Sequence, residues 1–77
     1  MDFQIDVAIL SSDPGAYLLS WHVCDNGMDA GCGQVWTQAV DSPVVWIGTR
    51  PHAEVEGRVV AEIARVLKRR NETINQQ

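Results

Sequence analysis

Phe3-Gln4-Ile5-Asp6-Val7-Ala8-Ile9-Leu10 alternates apolar and polar residues, then breaks at Ser11-Ser12-Asp13-Pro14-Gly15. Tyr17, Leu19, Trp21 and Val23 resume the alternation before Asn26-Gly27. A period of two places Phe3, Ile5, Val7 and Ile9 on one face of a half-buried strand, and the Tyr17 row on one face of a second. Proline presets φ at the first central position of a turn, and glycine takes the positive φ of the next. These two segments therefore form an antiparallel hairpin, and the rest of the chain is read from it.

Asn26-Gly27 is a strong hairpin signal, so a third strand is expected over 32–40, and Asp41-Ser42-Pro43 separates it from a short fourth strand at 44–47. Beyond it the spacing changes to three and four: Val55, Val59, Ile63, Val66 and Leu67 form a helical stripe. Thr49 is the expected N-cap, with Pro51 in the first turn. Glu54 and Glu56 at the start and Lys68-Arg69-Arg70 at the end complement the helix dipole. Gly57 costs the helix about 1 kcal/mol relative to alanine and is read as a point of close packing on the sheet. Short turns between successive strands give an α+β fold, a four-stranded antiparallel β-meander with one C-terminal helix on one face (ββββα). The expected domain is 1–70, followed by a polar, frayed tail at 71–77.

One helix covers one face of such a sheet. The open face takes Gln4, Asp6, Ala8 and Leu10 from the first strand and Leu18, Ser20, His22 and Cys24 from the second. The side taken by Trp36 depends on the second hairpin. A two-residue loop at Asn26-Gly27 sets Trp21 opposite Cys32 and puts Trp36 on the covered side. A longer loop from Asp25 to Gly31 sets Cys24 opposite Cys32 and presents Trp36 on the open side, because a one-residue slip exchanges the faces. Gly31 and Gly33 favour the longer loop. Leu10, Leu18, His22 and Trp36 then form a candidate partner or dimer face, an apolar patch rimmed by polar groups.

Charge is divided along the chain. None of the first 49 residues is lysine or arginine, whereas six are aspartate: Asp2, Asp6, Asp13, Asp25, Asp29 and Asp41. With about a quarter of residues charged, such a stretch ordinarily holds roughly six cations. All six cations, Arg50, Arg58, Arg65, Lys68, Arg69 and Arg70, lie in the last 28 residues. A cation-free acidic surface repels nucleic acid and anionic membrane and attracts basic protein surfaces. Asp6, Asp13, Asp25, Asp29 and Asp41 are therefore the candidate partner-binding charges.

Other chemistries find weak support. No apolar run is long enough to span a membrane, and no basic segment precedes an apolar run, so a cytoplasmic protein is expected. Cys24 and Cys32 are too few for a disulfide framework and are read as free thiols, bridged only if they face each other. A zinc site from His22, Cys24, Cys32 and His52 lacks the close cysteine pairs of structural zinc. Cys24 with His22, and Asp6 across the hairpin, is the one constellation for a cysteine nucleophile, with nothing to form an oxyanion hole. A ribonuclease using His22 or His52 would need a basic groove for its substrate. Asn71-Glu72-Thr73 matches a glycosylation acceptor in an expected polar tail. No catalytic residue, metal or cofactor is assigned.

The expectation is thus a small acidic, non-enzymatic protein-binding module. Its partner would be a protein whose basic surface binds nucleic acid, which the module inhibits or mimics; the alternative is a homodimer joined through the open sheet face. In general profile, though in no aligned motif, such a short acidic domain is similar to phage-encoded inhibitors of host defence, anti-CRISPR proteins among them.

Overall fold

A computed structural model describes residues 2–75, and the side chains of 2–72. It shows the expected meander and helix: β1 (Phe3–Asp13), β2 (Ala16–Asp25), β3 (Met28–Thr37), β4 (Val44–Ile47) and α1 (Ala53–Asn75). The strands pair antiparallel in the order β1-β2-β3-β4. In β1 the alternation is realised residue by residue, with Phe3, Ile5, Val7 and Ile9 half-buried and Gln4, Asp6, Ala8 and Leu10 exposed. The row ends at a β-bulge, where Leu10 is the extra residue between the Ile9–Leu19 and Ser11–Leu18 pairs.

Both expected turns are two-residue loops. Pro14-Gly15 joins Asp13 to Ala16 with Gly15 at φ 87°. Asn26-Gly27 joins Asp25 to Met28 with φ of 53° and 83°, the paired positive values of a type I′ turn. The longer Asp25–Gly31 loop expected from the flanking glycines is not formed, and β3 starts at Met28 rather than at residue 32. A bulge accounts for the glycines instead. Val23 is opposed by both Ala30 and Gly31, between the Cys24–Asp29 and His22–Cys32 pairs. Gly31 sits at φ 128°, a conformation that side chains disfavour. One extra residue in β3 exchanges its faces, so Gly33 opposes Trp21 and Trp36 opposes Leu18. Trp36 reaches the open face by this bulge.

The core lies between the covered sheet face and the helical stripe: Leu19, Trp21, Val23 and Val35 meet Val55, Val59, Ile63 and Leu67. Val66 is half-buried at the margin. The Trp21 and Trp46 rings meet edge to face at 6.0 Å between centroids. Thr37 is the buried polar residue of this layer. Its hydroxyl donates to the Ala39 carbonyl at 3.1 Å, which ties the 38–43 loop to the end of β3.

Several expectations for the helix need correction. His52, not Thr49, is the N-cap, since its carbonyl accepts from the amides of Val55 (3.0 Å) and Glu56 (2.9 Å). Pro51 is buried and precedes the helix. Lys68-Arg69-Arg70 do not occupy the last turn, because α1 continues through residues 71–75; the dipole effect fades within a turn, and Arg70 instead donates to the Ser12 hydroxyl at 2.8 Å. Tyr17 donates to the Asn71 side-chain carbonyl at 3.4 Å, so part of the segment read as a tail lies on the sheet, while the tail's last two residues, 76 and 77, lie outside the described residues. Finally, Gly57 is exposed, and a Cβ built on it meets nothing within 4 Å. The tight glycine is Gly33, where a Cβ would stand 3.1 Å from Trp21 Nε1 and 3.2 Å from the Thr49 carbonyl oxygen.

The same substitution at these two sites has opposite effects. Gly57→Ala should raise stability by about 0.5–1 kcal/mol through helix propensity. Gly33→Ala should lower it by about 1–3 kcal/mol through overpacking against Trp21. Urea denaturation of the two variants measures both.

Candidate functional site: the open sheet face

The cross-strand pairs lay out the uncovered face row by row. Ser11, Leu18, Trp36 and Val45 stand opposite one another across all four strands. The next row holds Ala8, Ser20, Gln34 and Ile47, and the third Asp6, His22 and Cys32. Gln4, Cys24 and Asp29 complete the lattice. Leu18, Trp36, Val45 and Ile47 therefore make one apolar patch over β2–β4, with Trp36 37%, Val45 52% and Ile47 43% exposed. Leu10 is half exposed at the β1 bulge beside it. Val45 and Ile47 are additions to the face read from sequence. Alternation anchored on Trp46 in the core would have placed them there.

The polar corner is organised around His22. Its Nε2 lies 2.9 Å from Asp29 Oδ1, which also accepts the Gly31 amide at 3.2 Å. The Gly31 amide, and after it the imidazole, hold the Asp29 carboxyl below the usual carboxylate range. The Gly31 bulge thus fixes both the register and the carboxylate. Asp6 is paired in register with His22, but the partner of the imidazole is Asp29, which corrects the expected Asp6 contact.

Cys24 Sγ lies 3.8 Å from His22 Nδ1 and 3.9 Å from Nε2. Near-equal distances to both nitrogens put the sulfur off the lone-pair direction of either, so the pair lacks the alignment of a thiol with its general base. Cys24 and Cys32 are free thiols and not direct partners, since Cys24 opposes Asp29 and Cys32 opposes His22. Among the described residues no three His, Cys, Asp or Glu side chains are grouped to hold a metal ion. His52 belongs to the exposed start of α1 and is not brought into the His22 corner by any contact of the site.

The candidate charges divide between the two ends of the sheet. Asp13, in the β1–β2 turn region, and Asp41, in the loop after β3, share the end where Arg70 meets Ser12. Asp25 and Asp29 lie at the β2–β3 turn, with Asp6 nearby on the open face. Asp25 is half-buried, with one carboxylate oxygen enclosed and without a hydrogen-bond partner. Asp6 and Asp29 therefore stand on the open face around His22, and Asp13, two residues beyond Ser11, falls on the same face at the other end of the sheet. Arg50 binds Glu56 and Arg65 binds Glu62, away from that face.

No protein-family model matches the chain, and neither the curated proteins nor the solved structures contain a match. No helix among the described residues is long and apolar enough to cross a membrane.

A depressed carboxyl contributes stability that is complete above its unfolded pKa, about 3.9 for aspartate, and is lost as pH falls through the lower folded value. Carbon-detected NMR should find Asp29 titrating below about 3.9. His22→Ala should raise that midpoint, because the imidazole lowers it both by its hydrogen bond and by its charge, while the Gly31 amide continues to favour the carboxylate.

Proposed function

We propose that this protein is a non-enzymatic protein-binding module, which engages a basic, nucleic-acid-binding protein surface through the open face of its sheet and thereby inhibits it. One observation carries the reading. The four strands contain no lysine or arginine, and their open face carries both the Leu18–Trp36–Val45 row with Ile47, toward β4, and the carboxylates Asp6 and Asp29, toward the β2–β3 turn. Apolar contact supplies affinity around an aromatic anchor, and carboxylates without neighbouring cations steer a cationic partner and compete with its phosphate ligands. Division of the remaining aspartates between two ends favours a compact docking face over a long phosphate-like row.

A second reading is a homodimer joined through the same face. It is favoured by the position of the apolar patch toward β4, at the opposite side of the sheet from Asp6. A two-fold axis through Trp36 would keep the two acidic corners apart.

Affinity capture with the tagged chain, compared with Trp36→Ala and with Asp6→Lys/Asp29→Lys, tests both. The inhibitor reading expects a nucleic-acid-binding protein retained at low salt, shed as charges are screened over about 8–10 Å at 0.1–0.15 M, and lost with either variant. Salt-independent recovery of the chain alone, with a dimeric mass that Trp36→Ala halves, supports the homodimer. Capture unaffected by either variant overturns use of this face.

A further inference from the structure

The two edges of the sheet are unequal. β4 offers four residues, whereas β1 is an eleven-residue edge strand bonded to a neighbour on one side only. Long edges are usually blunted by lysine, proline or a covering segment. Phe3–Asp13 contains neither lysine nor proline, and its one irregularity is the bulge at Leu10. Asp6 is the one charge in Phe3–Ile9 and the bulge lies beyond it, so this run presents regularly paired backbone whose outer donors and acceptors are unmatched by a neighbouring strand.

Alongside this edge runs α1, and between them lies a groove of about 380 Å³ lined by Ile5, Arg58, Ala61, Glu62 and Arg65. Its floor is apolar and its wall has two guanidinium groups against one carboxylate. Arg65 is held by Glu62 at 2.9 Å, and Arg58 sits over the Phe3 ring at 5.9 Å from its centroid.

We infer that β1 is a docking edge for an extended peptide, which adds to the sheet as a fifth strand and directs every second side chain into this groove. Strand addition takes affinity from main-chain hydrogen bonds and specificity from alternate side chains. The side chains entering the groove would be aliphatic, to meet Ile5 and Ala61, with an acidic residue to meet Arg58 and Arg65. Those on the other side lie beside Gln4, Asp6 and Ala8, where the carboxylate calls for lysine or arginine. The peptide thus alternates aliphatic or acidic residues with basic ones. A second copy of β1 does not meet this requirement. It brings its own Asp6 and no cation, so foreign peptide is favoured over self-pairing.

The probe is a blocked eight-residue peptide alternating lysine with leucine, valine and glutamate, titrated into the intact ¹⁵N-labelled protein. Its counterpart is N-methylated at alternate amides, those that would face β1, which removes main-chain donors and keeps every side chain. Shifts and slowed amide exchange confined to β1 and the facing side of α1 are expected. N-methylation should weaken binding by at least about tenfold, the factor that corresponds to 1.4 kcal/mol. Arg58→Gln/Arg65→Gln should weaken the glutamate peptide more than one with leucine in its place. No binding at millimolar peptide, equal binding of the N-methylated form, perturbation centred on Trp36 and Ile47, or self-association through β1 would each overturn the inference. The two readings separate by location: binding at the edge perturbs β1 and α1, whereas a basic peptide taken by the open face perturbs Trp36 and Ile47.

Discussion

A single backbone conformation, the φ of 128° at Gly31, determines which side of the sheet the second half of the chain presents. The type I′ turn at Asn26-Gly27 alone would set Trp21 opposite Cys32 and send Trp36 under the helix. The extra residue at Ala30-Gly31 reverses that assignment. Gly33 then lies under the Trp21 indole, where a Cβ would be crowded at 3.1 Å, and Val35 rather than Gln34 enters the core. The Gly31 amide also fixes Asp29, which in turn holds His22. Core packing, the apolar row and the polar corner all follow from one inserted residue.

The charge division along the chain becomes a division between layers. Every strand is free of lysine and arginine, and every cation sits on α1 or in the loop before it. On the covered side, Arg70 reaches Ser12 and Arg58 reaches Phe3, so the basic helix leans on a neutral and acidic sheet. The open face keeps its carboxylates with no lysine or arginine beside them, Asp29 being met by the His22 imidazole. Exposed charge pairs on the helix contribute little to folding, so the bias weighs more on association than on stability.

The fold class was legible because burial on one face forces alternation, as in Phe3–Ile9, and because Pro14-Gly15 and Asn26-Gly27 take the φ values that their turns require. Glycine, by contrast, marks freedom without saying how it is used. Gly27, Gly31 and Gly33 lie close together, and nothing local shows that the first makes a turn, the second a bulge and the third a close contact. Gly57 carried the expectation of packing that belongs to Gly33. Val44-Val45-Trp46-Ile47 is apolar throughout, so its period is silent and the outward Val45 and Ile47 appear only once Trp46 is placed. The His22 partner was hidden for a related reason, since Asp6 and Asp29 both flank it and only the bulge turns Asp29 toward the ring. The helix start was misplaced because Thr49 is a good cap by residue type, whereas its carbonyl is turned toward Gly33.

The register of β2 against β3 is the claim on which the site depends, and side-chain NOEs in the folded protein measure it directly. Contacts are expected from the Trp36 indole to Leu18 and Val45, with none to α1, and from Trp21 to the helical stripe and Gly33. NOEs from Trp36 to Val59 or Ile63 would contradict this register, because they would place Trp36 in the core and remove the apolar row from the open face.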